Sequence, residues 1–303
     1  EGKGGNYAPT PYRLSTPAWA PAMPIPQRNP LTVEGVELGR ALFHDTRLSG
    51  SGKVSCAGCH QPKNAFARHD PPHPGMRNTP SLLNIGWHPR LFWDGGVSDL
   101  ESVSLAPLHS AAEMGGNLVD VRTLLRTDGH YRRLLRKAFG TDSAQSWQIL
   151  QALAQYQRTL VTKGARVDKP DWMPTEQEAL GQLLFGESCA RCHTPPFYTD
   201  FAYHAVYRVP AQPLWPIRSL ENGRYRITQQ PADLGAYKTP SLRNAMRTAP
   251  FMHDGSLTRL EDCLGHGTVS VQALSEKYGA DTNAIRAAFV KYLEALTDTV
   301  PSR

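Results

Sequence analysis

No apolar run in this 303-residue chain exceeds a few residues. A helix that crosses a bilayer needs about 20, so a bilayer-spanning helix is excluded. Strand alternation is nowhere sustained, which leaves helices as the main element. The chain also lacks a basic stripe. Its 33 Lys and Arg against 27 Asp and Glu are scattered, with one denser stretch at Arg132, Arg133, Arg136 and Lys137. That is neither an electrostatic footprint nor a nucleic-acid module. The opening EGKGGNYAPTPY has no apolar stretch of the kind a secretory leader carries, and reads as an end left after processing. Gly and Pro, by contrast, are plentiful at 25 each without a collagen period. They argue against a coiled coil and for ordered loop between short helices.

Cysteine is scarce, but four of the five residues repeat one pattern. Cys56-Ala57-Gly58-Cys59-His60 and Cys189-Ala190-Arg191-Cys192-His193 are both C-x-x-C-H; Cys263 stands alone. The pattern is the attachment signal of c-type haem. Two thiols add across the two vinyl groups to form thioethers, and the adjoining His lies beneath the iron as proximal ligand. A zinc site would explain each His only by accident, and thioredoxin-like redox pairs lack it. Two covalent haems are expected, held through Cys56, Cys59 and His60, and through Cys189, Cys192 and His193. In bacteria such attachment takes place outside the cytoplasm, so a periplasmic location is expected with them.

The motifs belong to a longer repeat. Leu38-Gly39-Arg40-Ala41-Leu42-Phe43 matches Leu180-Gly181-Gln182-Leu183-Leu184-Phe185. Thr79-Pro80-Ser81-Leu82 with Asn84 matches Thr239-Pro240-Ser241-Leu242 with Asn244, and Asp94-Gly95 and Leu100-Glu101 match Asp254-Gly255 and Leu260-Glu261. Fixed offsets over this many positions predict two related haem-binding halves. Thirteen residues after each Asp stand Pro107 and Gly267. Neither side chain can bind iron, so the first haem is expected to be open on one face. The second has His266 one residue earlier.

The expected fold is mainly α, with two cytochrome c-like haem domains joined by long ordered loops. Residues 1–30 are a Pro-rich surface wrap, 31–163 the first haem domain, 164–173 a linker and 174–303 the second haem domain. Helical apolar spacing covers 118–139 and 143–162, the latter with Trp147, Leu150, Leu153 and Leu160. A further helix spans about 281–297, capped by Asp281 or Thr282, with Ile285, Phe289, Tyr292 and Leu296 inward. Residues 194–237, rich in aromatics, have no counterpart in the first half.

Together with Arg77-Asn78-Thr79-Pro80-Ser81-Leu82-Leu83-Asn84, Phe92-Trp93-Asp94-Gly95, Glu113-Met114-Gly115 and Thr248-Ala249-Pro250-Phe251-Met252-His253-Asp254-Gly255, these motifs resemble the bacterial di-haem cytochrome c peroxidases and their MauG-like relatives. The resemblance runs from about Pro30 to Leu296. It implies that hydrogen peroxide meets the N-terminal haem at an open face beside Pro107. Glu113 would be the distal acid–base and Trp93 the aromatic bridge between the haems. Asn78, with the carbonyls of Thr248 and Pro250, would hold a calcium ion.

The departures from the family pattern are informative. Val103 stands where the distal pocket commonly has Gln. Gly267 stands where peroxidases use Met and MauG uses Tyr as the sixth ligand of the second haem, so His266 is expected there by a one-residue shift, with Met252 or water as alternatives. His69 or His73 could cap the first haem, although an open iron is favoured. His253 and His204 read as structural, Cys263 as a small buried apolar residue. Glu187 replaces a Trp near the second motif, which leaves Trp215 or the Tyr residues of 194–237 as outward hole routes. The resemblance implies an enzyme that oxidises an aromatic residue, Trp foremost, on a partner protein through a bis-Fe(IV)-type state, as in the MbnH-like subgroup. The alternatives are a peroxidase fed by a small cytochrome or copper protein, and a non-catalytic electron-transfer cytochrome.

Overall fold

The computed structural model describes residues 7–72, 76–162, 164–205, 207–214, 216, 219–266 and 269–298. Its order follows from two glycine-mediated helix pairs. Helix α1 (Val33–His44) starts at Thr32, whose side chain accepts from the Gly35 amide, and buries Leu38, Leu42 and Phe43. Among the described residues the next helices of eight residues or more are α2 (Leu118–Thr127), α3 (Gly129–Phe139), α4 (Ser146–Arg158), α5 (Glu176–Ser188), α6 (Val271–Tyr278) and α7 (Thr282–Ala295). The most extensive packing is α1 on α4 and α5 on α7.

These two crossings are the repeat made visible. A Cβ on Gly39 would lie 1.9 Å from the Ala152 carbonyl oxygen, and one on Gly181 2.0 Å from that of Ala288. Only a residue without a side chain lets the backbones approach so closely. Phe43 meets Tyr156 at 5.1 Å between ring centroids, and Phe185 meets Tyr292 at 5.2 Å. Asn84 and Asn244 both take φ of 61°, and their amides donate to Leu160 and Leu296 carbonyls at the ends of the helix pairs. Apolar burial follows the same division. One core cluster runs from Leu38 to Leu160 and another from Leu184 to Leu296.

A third cluster joins Trp87, Val161 and Phe197 to Leu14, Trp19 and Met23 of the Pro-rich opening. The segment 164–173, expected to be a linker, is pinned there. Asp168 pairs with the Arg243 guanidinium through two bonds of 2.8 Å, and Arg243 lies 3.8 Å from the Trp19 ring centroid.

Two local expectations differ from the structure. The stretch 118–139 is two helices, not one. Asp128 ends α2 and caps α3, accepting from the amides of His130 and Tyr131, so its carboxylate competes with helix continuation. Trp147, counted in the apolar spacing of 143–162, is 55% exposed, while Ile149, Ala152 and Leu153 face the core. Helix α7 matches its sequence signal, capped by Asp281 and burying Ile285, Phe289 and Tyr292. Within 194–237 the only ladder among the described residues pairs β1 (Tyr203–His204) with β2 (Tyr237–Lys238), antiparallel. No helix of the described residues is long and apolar enough to cross a membrane.

Candidate functional site

Helix α5 runs directly into the second C-x-x-C-H turn, where the His193 amide donates to the Cys189 carbonyl at 2.9 Å. The buried His193 ring has its Nδ1 within 3.1 Å of the Pro240 carbonyl and 3.3 Å of that of Tyr198. Carbonyls only accept, so Nδ1 carries the proton and Nε2 keeps its lone pair. His266 repeats the arrangement, with Nδ1 2.6 Å from the Cys263 carbonyl. The two rings stand perpendicular with centroids 6.4 Å apart. Two metal–imidazole bonds of about 2 Å plus the half-width of each ring place centroids about 6 Å apart. One metal between two Nε2 atoms therefore fits. Burial, reinforced by His266, holds His193 down at about 4, so its ring is neutral at neutral pH.

These rings share a cavity of about 580 Å³ with Cys189, Cys192, Trp93, Phe251 and Leu274 on its walls, within the usual range for a cofactor site. Burial pushes the Cys189 thiol up to about 12. Among the described residues, the single His, Cys, Asp and Glu set whose ligand atoms converge within 4.8 Å is Cys192, Asp200 and His204. Neither motif gathers its own two cysteines and histidine around one point, as zinc requires. The donor set, the neutral thiols and the cavity fit haem c.

The first motif has matching local geometry. The His60 amide donates to the Cys56 carbonyl at 2.8 Å, and its Nδ1 lies 2.9 Å from the Phe66 carbonyl. Phe66 and Tyr198, whose carbonyls accept in the ring-orienting contacts, both adopt left-handed backbone, at φ 57° and 56°. Burial lowers His60 to about 4 and raises Cys56 to about 12. Pro107 lies within the short helix Leu105–His109, and its carbonyl accepts from the Met114 amide. Glu113 follows that helix. It is solvent-accessible, yet surrounding protein raises its carboxyl above the ordinary range, partly offset by Ser110. Val103 is buried in the first core cluster.

Trp93 lines the cavity and donates its indole N–H to the Asn78 carbonyl at 2.7 Å. The Asn78 side chain is buried against the carbonyls of Pro250 at 2.5 Å and Met252 at 3.1 Å. Its Oδ1 has no hydrogen-bond partner. The two amide ends are exchangeable, and the reversed amide would present an oxygen beside two carbonyl oxygens. Thr248 lines the same cavity, with Oγ1 on the Ala245 carbonyl.

His69 is exposed; His73, Trp215 and Gly267 lie outside the described residues. His253 is buried and stacked on Tyr237 at 3.7 Å, and His204 holds Asp200 at 2.7 Å. Cys263 is not sealed in a core but lines the cavity beside His266. Glu187 takes Lys277 and Tyr278. Sequence reasoning missed the carbonyls that orient the proximal rings, although the repeated Thr-Pro-Ser-Leu was a signal for Pro240. It also missed His88 and Lys238 on the cavity wall.

The sequence profile of the di-haem cytochrome c peroxidase family matches residues 33–173. A methylamine utilization protein MauG of Methylophilus methylotrophus is 35% identical over 261 residues, spanning 81% of this chain and 75% of that one. The chain belongs to the di-haem cytochrome c peroxidase and MauG family. It is thus a peroxide-dependent oxidoreductase with the mainly helical di-haem fold. Cytochrome-c peroxidase IdrP1 of a Pseudomonas species is 29% identical over 318 residues, covering 90% of this chain and 84% of that one. The solved structure of a MauG-like protein associated with microbial copper homeostasis superposes with a TM-score of 0.81 at 29% identity, covering 96% of this chain and 97% of that one.

Proposed function

We propose that this chain uses hydrogen peroxide to oxidise an aromatic side chain, Trp foremost, on a separate protein in the periplasm. The carrying observation is the opposed pair His193 and His266. Two imidazole ligands stabilise an oxidised iron better than the His/Met pair that raises the potential of an electron-relay haem. When bound, two haem c groups supply the redox-active irons. In this reading residues 31–163 and 174–303 are two haem domains joined by 164–173. Cys56, Cys59, Cys189 and Cys192 attach the haems, and His60, His193 and His266 ligate the irons.

Glu113, with its raised carboxyl pKa, moves the peroxide proton beside the face that Pro107 leaves without a ligand. Trp93 passes the oxidising hole between the halves. Its N–H is tied to a carbonyl, which takes up no proton, so the hole moves on without loss of the indole proton. Asn78 with the carbonyls of Pro250 and Thr248 holds calcium, a hard cation suited to oxygen ligands. The structural relative linked to copper homeostasis makes a copper-handling protein the partner to try first.

The test is one equivalent of hydrogen peroxide added to the resting ferric protein, followed by mass spectrometry of a partner encoded nearby. A near-infrared charge-resonance band and a partner Trp gaining oxygen support the reading. Rapid peroxide turnover that needs pre-reduction and consumes a reduced cytochrome or copper protein would overturn it in favour of an electron-fed peroxidase. No reaction with peroxide would leave electron carriage alone.

A further inference from the structure

Lys238 is a cation whose neighbours do not account for its charge. It sits on β2, with its backbone amide donating to the Trp93 carbonyl at 2.7 Å, and its side chain opens onto the same cavity as Trp93 and His193. The Nζ donates to His88 Nδ1 at 3.1 Å and to the Arg90 carbonyl at 2.8 Å. An ammonium has three donors, so one is left. Both partners are neutral: burial and the nearby Lys238 hold His88 well below its ordinary pKa.

Among the described residues no carboxylate lies within ion-pair distance of Lys238. Asp94, the one acid that supports its charge, is already committed to Arg77 at 3.2 Å and Arg226 at 2.5 Å. Arg243 and Lys277, other cations of this cavity, have Asp168 and Glu187. A partly desolvated ammonium without a counter-ion is costly. Burial accordingly drags Lys238 down to about 8.

We propose that Lys238, steadied by His88 and the Arg90 carbonyl, is a carboxylate-binding position on the cavity wall that takes a propionate of a bound haem. The inference rests on the haem assignment made above. A charge-assisted bond from the third N–H would replace the missing counter-ion. His88, whose ring packs on Phe201 at 5.0 Å, fixes where the ammonium points. Lys238 is here a positioning residue for the cofactor, and it joins the two halves because His88 and Arg90 belong to the first.

The test uses the holoprotein and its Lys238→Met, Lys238→Gln and Lys238→Arg variants. Resonance Raman reads the propionate bending bands, and a spectroelectrochemical titration reads each haem's potential. Loss of the positive charge should shift one propionate band and lower one potential by about tenfold in the ferrous-to-ferric ratio, about 59 mV for a one-electron couple. Lys238→Arg should restore both. If Lys238→Met fails to accumulate as holoprotein, Lys238→Gln, which keeps a hydrogen-bond donor, carries the same reading. Unchanged bands and potentials in the charge-removing variants overturn the proposal. So does a saturable spectral response of the wild type to acetate or chloride that is lost in Lys238→Gln, which would assign the position to a free anion. Neither readout requires peroxide, so failure here is distinct from failure of the proposed oxidation.

Discussion

His266→Gly is the most informative single change. The wild-type rings are 6.4 Å apart at right angles, the spacing that two bonds of about 2 Å to one metal produce. Each Nδ1 is fixed on a backbone carbonyl, so the orientation of both rings is set by the fold and not by ligand binding. With haems bound as proposed, an iron ligated by both imidazoles would be low-spin, and the first, without a ligand from Pro107, high-spin. Electron paramagnetic resonance of the ferric wild type should therefore integrate to about one low-spin iron per molecule. In His266→Gly that signal should fall almost to zero, because the imidazole whose ring stands 6.4 Å from that of His193 is gone. The deletion leaves a slot the size of the lost ring, and free imidazole at millimolar concentration should restore the signal. A low-spin signal of full intensity in the variant without imidazole would refute the geometric reasoning outright.

Four other outcomes follow from the structure. Gly39→Ala and Gly181→Ala each drive a methyl into a backbone carbonyl about 2 Å away. Each should cost at least about 1–3 kcal/mol in denaturant unfolding, and by the repeat the two losses should be alike. Arg158→Met strips the buried Glu101 carboxylate of its partner at 2.8 Å, leaving only Asn29, and should destabilise by about 3–5 kcal/mol. Burial raises the Glu101 pKa, but the bonds from Arg158 and Asn29 outweigh it and hold the pKa below the ordinary value. The stability it contributes is therefore complete above the unfolded pKa and lost as pH falls through the folded one; acid titration of unfolding should show a steep limb below about pH 4 that Arg158→Met flattens. Glu113→Gln should slow the reaction with peroxide by about 10²–10⁴-fold in stopped-flow absorbance. Its raised pKa means that the wild-type rate climbs through a pH above the usual carboxylate range, a dependence the variant lacks. Calcium returned to chelator-treated protein should raise the melting temperature, and Asn78→Ala should abolish that gain.

What the sequence disclosed was covalent pattern and period. C-x-x-C-H is local chemistry, and the offsets of Gly39 and Gly181 reflect helix crossings that tolerate no side chain, so both were readable without coordinates. His266 was marked as a candidate because the repeat picks out the adjoining position, whose Gly267 has no side chain to ligate a metal. The break at Asp128 was obscured because leucines continue in helical register on either side of it, while the side-chain cap that ends α2 leaves no trace in that period. Trp147 misled for the opposite reason: hydrophobicity predicts burial only on average, and helix α4 already has enough smaller apolar residues to meet α1. Lys238 was silent because nothing local distinguishes a buried lysine from a solvated one. Its environment comes from His88 and Arg90, some 150 residues away in the chain.

The two halves are alike where they pack and differ at the segment that follows each Asp-Gly, and the proposed function rests on that difference. The helix crossings, the Phe–Tyr contacts and the left-handed Asn residues recur with nearly equal geometry, because each must close an equivalent core. At the position that follows each Asp-Gly by thirteen residues, however, the first half has Pro107 in a short helix. The second has a Leu260–Cys263 turn followed by Gly265 and His266. A helix stiffened by proline holds that side chain in place without offering a ligand, whereas the turn lets an imidazole swing in and seat its Nδ1 on the Cys263 carbonyl. In the proposed reading, one duplicated fold would yield an iron site that admits a small oxidant and another that is closed by protein. That asymmetry is what a peroxide-driven oxidation at a distance requires: the site that reacts must be open, and the site that stores charge must be shielded from the same reagent.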